Sequence, residues 1–141
     1  MHKSVLVNNT LFSRGVIEEN KCPLCKRMPE TIGHLLRECI YACDFWYKVK
    51  IPLMVVSSFQ ATDDINDWLR VNYLSKAIHH SSVPWRYVFP FAIWELWKHR
   101  NKVAFENTPL NLNLHRPCIS QAMECFYCVG KINKQRTITV I

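Results

Sequence analysis

Cys22-Pro23-Leu24-Cys25, followed by Glu30-Thr31-Ile32-Gly33-His34-Leu35-Leu36-Arg37-Glu38-Cys39, is the stretch that decides how this chain folds. It contains a C-x2-C-x8-H-x4-C array, and Cys, Cys, His and Cys at such spacing can close a tetrahedral zinc site. Two cysteines separated by two residues both turn inward from one tight knuckle. The second pair, His34 and Cys39, falls on a segment with helical periodicity. Four protein ligands leave no open position, so the expected ion is one structural Zn²⁺ held by Cys22, Cys25, His34 and Cys39. The spacing also poses a difficulty. Five residues turn an α-helix through about 500°, so His34 and Cys39 cannot share one face without local unwinding. Cys43, one helical turn beyond Cys39, is the rival fourth ligand. Lys21, Lys26, Arg27 and Arg37 lie close in sequence, offset the charge of three thiolates and favour their ionisation.

Outward from this array the pattern is helical. Residues 2–15 read as a short helix with Val5, Leu6, Phe12 and Val16 as core candidates, released by Gly15. Thr31 is placed to cap a second helix, on which Leu35, Cys39, Ala42, Phe45, Trp46 and Val49 recur at steps of three and four until Pro52. Residues 51–62 read as a loop with an extended apolar piece from Leu53 to Val56. Asp63 and Asp64 suit the cap of a short helix through Trp68 and Leu69. His79 to Pro84 is a polar break, with His79 and His80 in solvent. A long aromatic helix follows from about Pro84 to Phe105, with Pro90 as a kink or a first turn. Asn107-Thr108-Pro109 stops it. Pro117 suits the first turn of a last helix ending near Val129, before Gly130 and a basic tail with Lys131, Lys134 and Arg136. The expected fold is therefore mainly α: a small zinc-stapled helical module, then a long aromatic helix and a C-terminal helix. The organisation is 1–50 for the zinc module, 51–83 as connector and 84–141 as helical segment.

The formal net charge of +7 favours polyanionic partners. Lys26, Arg27, Arg37, Lys98, Arg100 and Lys102 are the candidate contacts to RNA or DNA. Trp94, Trp97 and Phe105 are expected to pack in the core while the neighbouring cations touch phosphate. Val5-Leu6-Val7 is too short for a secretory signal, and the apolar run from Tyr87 to Trp94 is too short to span a bilayer. The expectation is an intracellular protein, nuclear or cytoplasmic, with no membrane and no small-molecule substrate. No Gly-rich phosphate loop and no G-x-S-x-G elbow occurs. Thr62-Asp63-Asp64 reads as a cap rather than a metal-binding pair, and His115, Cys118, Cys125 and Cys128 are strung along a helix rather than gathered round an ion. No catalytic residue is expected.

The positions Cys22, Cys25, Glu30, Thr31, His34, Leu35, Leu36, Cys39, Ala42 and Trp46 together resemble the zinc-binding domain that follows the reverse transcriptase in plant non-LTR retrotransposons. The segment Trp97-Lys98-His99-Arg100-Asn101, with Phe105, is similar to the helix lying between that domain and a ribonuclease H domain. The resemblance covers roughly residues 2–134 and implies a non-catalytic module from a retroelement polyprotein that grips nucleic acid without reading its sequence. It also implies a truncated fragment, beginning inside the domain and lacking both enzymes. A zinc-stapled protein-interaction fragment, or a remnant with no function, is the alternative expectation.

Overall fold

The computed structural model describes residues 20–59 and 64–140, with side chains as far as Lys131 in the last helix. Among these residues the chain is mainly helical. A π-helical turn, His34–Glu38, leads into α1 (Ile40–Val49), α2 (Leu53–Phe59), α3 (Ile65–Tyr73), α4 (Trp85–Glu106) and α5 (His115–Val140). The described residues contain no strand, only isolated antiparallel bridges at Lys21–Pro29 and Ile78–Pro84. The helix expected over 2–15, with Val5, Leu6, Phe12, Gly15 and Val16, lies outside the described residues, as do Thr62 and Asp63.

Local chemistry sets the boundaries. Thr31 Oγ1 accepts the His34 amide at 3.0 Å, the expected cap. Val49 ends α1 because Lys50 turns left-handed (φ 67°) and gives its N–H to the Trp46 carbonyl. Asp64 Oδ1 accepts from the amides of Asn66 and Asp67 at the start of α3. Asn107 (φ 54°) closes α4. Pro90 lies five residues into α4, past the first turn, so it is an interior proline.

Three expectations need correction. Leu53 to Val56 is helical, because the Pro52 carbonyl accepts from Val55 and Val56 and the pair Val55 and Phe59 buries one face. The expected extended piece of a loop is thus the first turn of a helix. The last helix does not stop at Val129. It runs through Gly130, whose missing Cβ faces open space, and an exposed helical glycine costs only about 1 kcal/mol against alanine. The side chains of Lys134 and Arg136 lie outside the described ones. His79 is buried rather than solvated. Its Nε2–H donates to the Val49 carbonyl at 2.5 Å, which fixes the tautomer, and Nδ1 accepts from the Ser81 amide at 3.2 Å.

One hydrophobic core collects residues from all three expected segments, from Cys22 and Leu35 to Trp85, Phe89 and Ala122. Trp46 stands at its centre, stacked on Phe89 at 5.6 Å and edge-on to Phe59 at 5.0 Å and Trp68 at 6.0 Å. Asn72 bridges buried polar atoms, accepting from Trp85 Nε1 and donating to the Trp68 carbonyl. Inside this apolar packing lies an ion pair. Arg100 grips Glu30 through Nη2–Oε1 at 2.8 Å and Nε–Oε2 at 3.1 Å, and neither residue is exposed.

Removing one partner of a fully buried pair strands the other charge, which costs about 3–5 kcal/mol. Glu30→Leu or Arg100→Met alone should lower urea stability by this order, and the double substitution by clearly less than the sum. His79 gives a pH dependence. Burial, the leading cause, pulls its pKa below the ordinary 6.5. The unfolded chain therefore takes up a proton that the fold resists, so this contribution is complete above 6.5 and is lost as pH falls toward the folded value. His79→Gln should flatten the acid limb of stability against pH relative to wild type.

Candidate metal centre

The knuckle is built by backbone. Cys22 N–H donates to the Met28 carbonyl at 2.8 Å and Lys26 N–H to the Cys22 carbonyl at 2.9 Å. Lys26 adopts φ 58°, which turns the chain sharply after Cys25. Glu30 N–H donates to the Asn20 carbonyl and closes the base. The other two ligands come from the π-helical turn. Cys39 N–H donates to the His34 carbonyl at 2.7 Å, an i→i+5 bond. Such a ring holds one residue more than an α-helical one, so five residues make roughly one turn and His34 and Cys39 face the same side. The unwinding that the spacing demands is this wide turn.

Cys22, Cys25, His34 and Cys39 bring their four donor atoms within 4.8 Å of one another. Cys22 Sγ lies 3.9 Å from Cys39 Sγ, and Cys25 Sγ lies 3.3 Å from His34 Nε2. Tetrahedral donors at Zn–S and Zn–N bond lengths stand roughly 3.5–3.8 Å apart, so the set fits one zinc ion with His34 coordinating through Nε2. Cys22 and Cys39 are fully buried, His34 nearly so and Cys25 half-buried.

Electrostatics divides the two buried thiols. The Cys39 neighbour and burial push the Cys22 thiol well above its ordinary value. The Cys22 thiol lowers the Cys39 pKa, burial opposes this, and the amides of Tyr41 and Ala42 lower it further. Cys39 stands at the N-cap of α1, where helix amides favour a thiolate. Burial lowers the His34 pKa and keeps the imidazole in its neutral, ligating form.

Cys43 is not part of the cluster. Its thiol points at the carbonyls of Arg37 and Glu38, 3.5 and 3.7 Å away, where the chain breaks before α1. Trp46 Nε1 donates to the neighbouring Leu36 carbonyl at 2.7 Å. Cys118 is buried against the Val88 carbonyl, and burial pushes its pKa up to about 12. Among the described residues no second group of potential ligands forms around His115, Cys125 and Cys128.

The six cations named from the sequence divide. Lys26, Arg27 and Lys102 are exposed, and Lys98 is half-buried in an ion pair with Glu95 at 2.9 Å. Arg37 is buried with its guanidinium 5.6 Å from the Trp68 ring, and Arg100 is buried on Glu30. Neither can reach a phosphate, which corrects two of the six. The signal was present: Arg100 continues the buried stripe Phe89, Ala92 and Leu96 at helical spacing. Glu30, named from the sequence only as one position of the resembled pattern, is its partner. Trp94 and Phe105 are exposed, contrary to expectation, while Trp97 is partly buried.

Cys22→Ser, Cys25→Ser, His34→Ala and Cys39→Ser should each abolish one equivalent of zinc in metal analysis, and Cys43→Ser should leave it. Chelation should reduce helicity by circular dichroism, since zinc in small modules contributes about 10–16 kcal/mol.

Comparison with known proteins follows the same residues. A family model described as zinc-binding in reverse transcriptase matches residues 1–46, ending on the Trp46 that closes the resembled pattern. A protein of Arabidopsis thaliana named "Putative ribonuclease H protein" is 28% identical over 108 residues, which are 76% of this chain. The chain spans 17% of that relative's length. No solved structure matches. No helix among the described residues is long and apolar enough to cross a membrane. Over residues 1–46 the chain thus carries a zinc-binding domain of reverse-transcriptase type.

Proposed function

We propose that the chain is a non-catalytic module in which one structural Zn²⁺ holds the knuckle and the surface binds RNA or DNA without reading sequence. The observation that carries this reading is the division of charge. The buried carboxylates Glu30 and Glu95 are tied to Arg100 and to Lys98 and Gln121, while Lys26, Arg27 and Lys102 stand in solvent. Exposed cations without nearby base-reading elements bind phosphate and release counterions. The zinc would supply structure only, because all four donors come from the protein and no position is left for a reacting group. The role beside reverse transcription implied by the family resemblance belongs to this proposal.

A second reading rests on exposed apolar side chains. Leu53, Met54 and Ile78 border an open cleft with Lys50, Pro52 and His80, a surface suited to another protein.

Zinc-loaded protein titrated with labelled RNA, single-stranded DNA and duplex DNA should bind at micromolar or tighter affinity, and binding should weaken linearly in log[salt]. Lys26→Ala, Arg27→Ala and Lys102→Ala should each reduce the slope by about one, equally for all sequences. Folded, zinc-loaded protein that binds no polynucleotide would sink the first reading and leave the second.

A further inference from the structure

Tryptophan and phenylalanine are the costliest side chains to leave in water, and those described in this chain are buried or partly buried with two exceptions. These are Trp94 and Phe105, 52% and 69% exposed. Both are on α4. Eleven residues of helix make three turns and about 20°, so the two rings lie on one face, ~16 Å apart along the axis. Lys98 and Lys102 lie between them in sequence, displaced by less than a quarter turn from that face.

Each ring is backed by a cation. Lys98 Nζ lies 5.6 Å from the Trp94 ring centroid, and the Arg100 guanidinium lies 5.2 Å from that of Phe105. Arg100 is itself fixed by Glu30, so the support under Phe105 is rigid. A rigid aromatic face, bounded by positive charge and otherwise open, has the chemistry of a platform for unpaired bases. A base stacks on each ring, and the phosphates between them meet the flanking lysines Lys98 and Lys102. A duplex hides its base faces and could use only the cations.

We infer that the outer face of α4 is a single-strand-selective stacking surface, with Trp94 and Phe105 each receiving an unpaired base and Lys98 and Lys102 meeting the connecting phosphates. This rests on the nucleic-acid reading above and narrows it to single strands. Lys98 keeps its Glu95 partner in the free protein, so engagement of phosphate exchanges one anion for another.

The test uses the full, zinc-loaded chain with oligo(dT), oligo(U) and a hairpin duplex at one salt concentration. Single strands should bind more tightly than the duplex. Trp94→Ala and Phe105→Ala should each weaken single-strand binding about tenfold, leave duplex binding unchanged, and retain zinc and helicity. Trp94→Phe should restore most of the loss, and intrinsic fluorescence should quench in wild type but less in Trp94→Phe. Unchanged single-strand affinity in both alanine variants, or equal losses for single strand and duplex, overturns the inference while the broader reading stands. Absence of binding to all three probes overturns both.

Discussion

The buried pair of Glu30 and Arg100 makes two small motifs into one molecule. Glu30 sits at the base of the cysteine knuckle, and Arg100 sits on the inner face of α4. The guanidinium and carboxylate meet in a two-point fork inside the core, which fixes orientation as well as distance. Lysine could not substitute for this planar grip. Neither charge has water to return to if its partner moves. Displacing the knuckle from α4 therefore meets an electrostatic penalty as well as lost packing. The ring contacts of Arg100 with Trp97, at 5.5 Å, and Phe105 extend the restraint toward the helix surface.

Around that pair, the ligand geometry and the core share parts. The wide turn that aligns His34 with Cys39 ends abruptly, and a broken helix leaves carbonyls in need of donors. Trp46 and Cys43 meet that need, and Trp46 is also the hub of the aromatic cluster. The same indole thus seals the metal-binding turn and fills the core. Cys43 has a structural use that explains its place near the ligands without belonging to them.

Much of this was legible in the residues. The cluster of Cys22, Cys25, His34 and Cys39, the Thr31 and Asp64 caps and the buried face of α1 follow from spacing and side-chain chemistry, which act locally. What escaped depends on remote partners. His79 looks like a loop histidine until the end of α1 brings a carbonyl to its Nε2. Arg100 looks like a surface cation because its charge outweighs its helical register, and only Glu30, far off in sequence, makes burial tolerable. Leu53 to Val56 carries β-branched residues, yet the preceding proline and the Val55–Phe59 pair favour a helical turn. Gly130 signals a stop that no neighbouring residue enforces. Trp94 and Phe105 were expected inside because aromatic side chains usually are, and composition does not reveal which face of a helix remains uncovered.

The separation in sequence also orders events in time. All four members of the cysteine–histidine cluster lie within the short span from Cys22 to Cys39, whereas Glu30 and Arg100 are 70 residues apart. Closing a loop of that length carries a larger entropic penalty than closing the knuckle, and non-local contacts form late. During synthesis the knuckle emerges and can capture its ion while α4 is still unmade. For that interval Glu30 remains a hydrated carboxylate on a finished knuckle. A metal captured at that stage would shape the docking surface first, and the helix would arrive to find its counter-charge already in place.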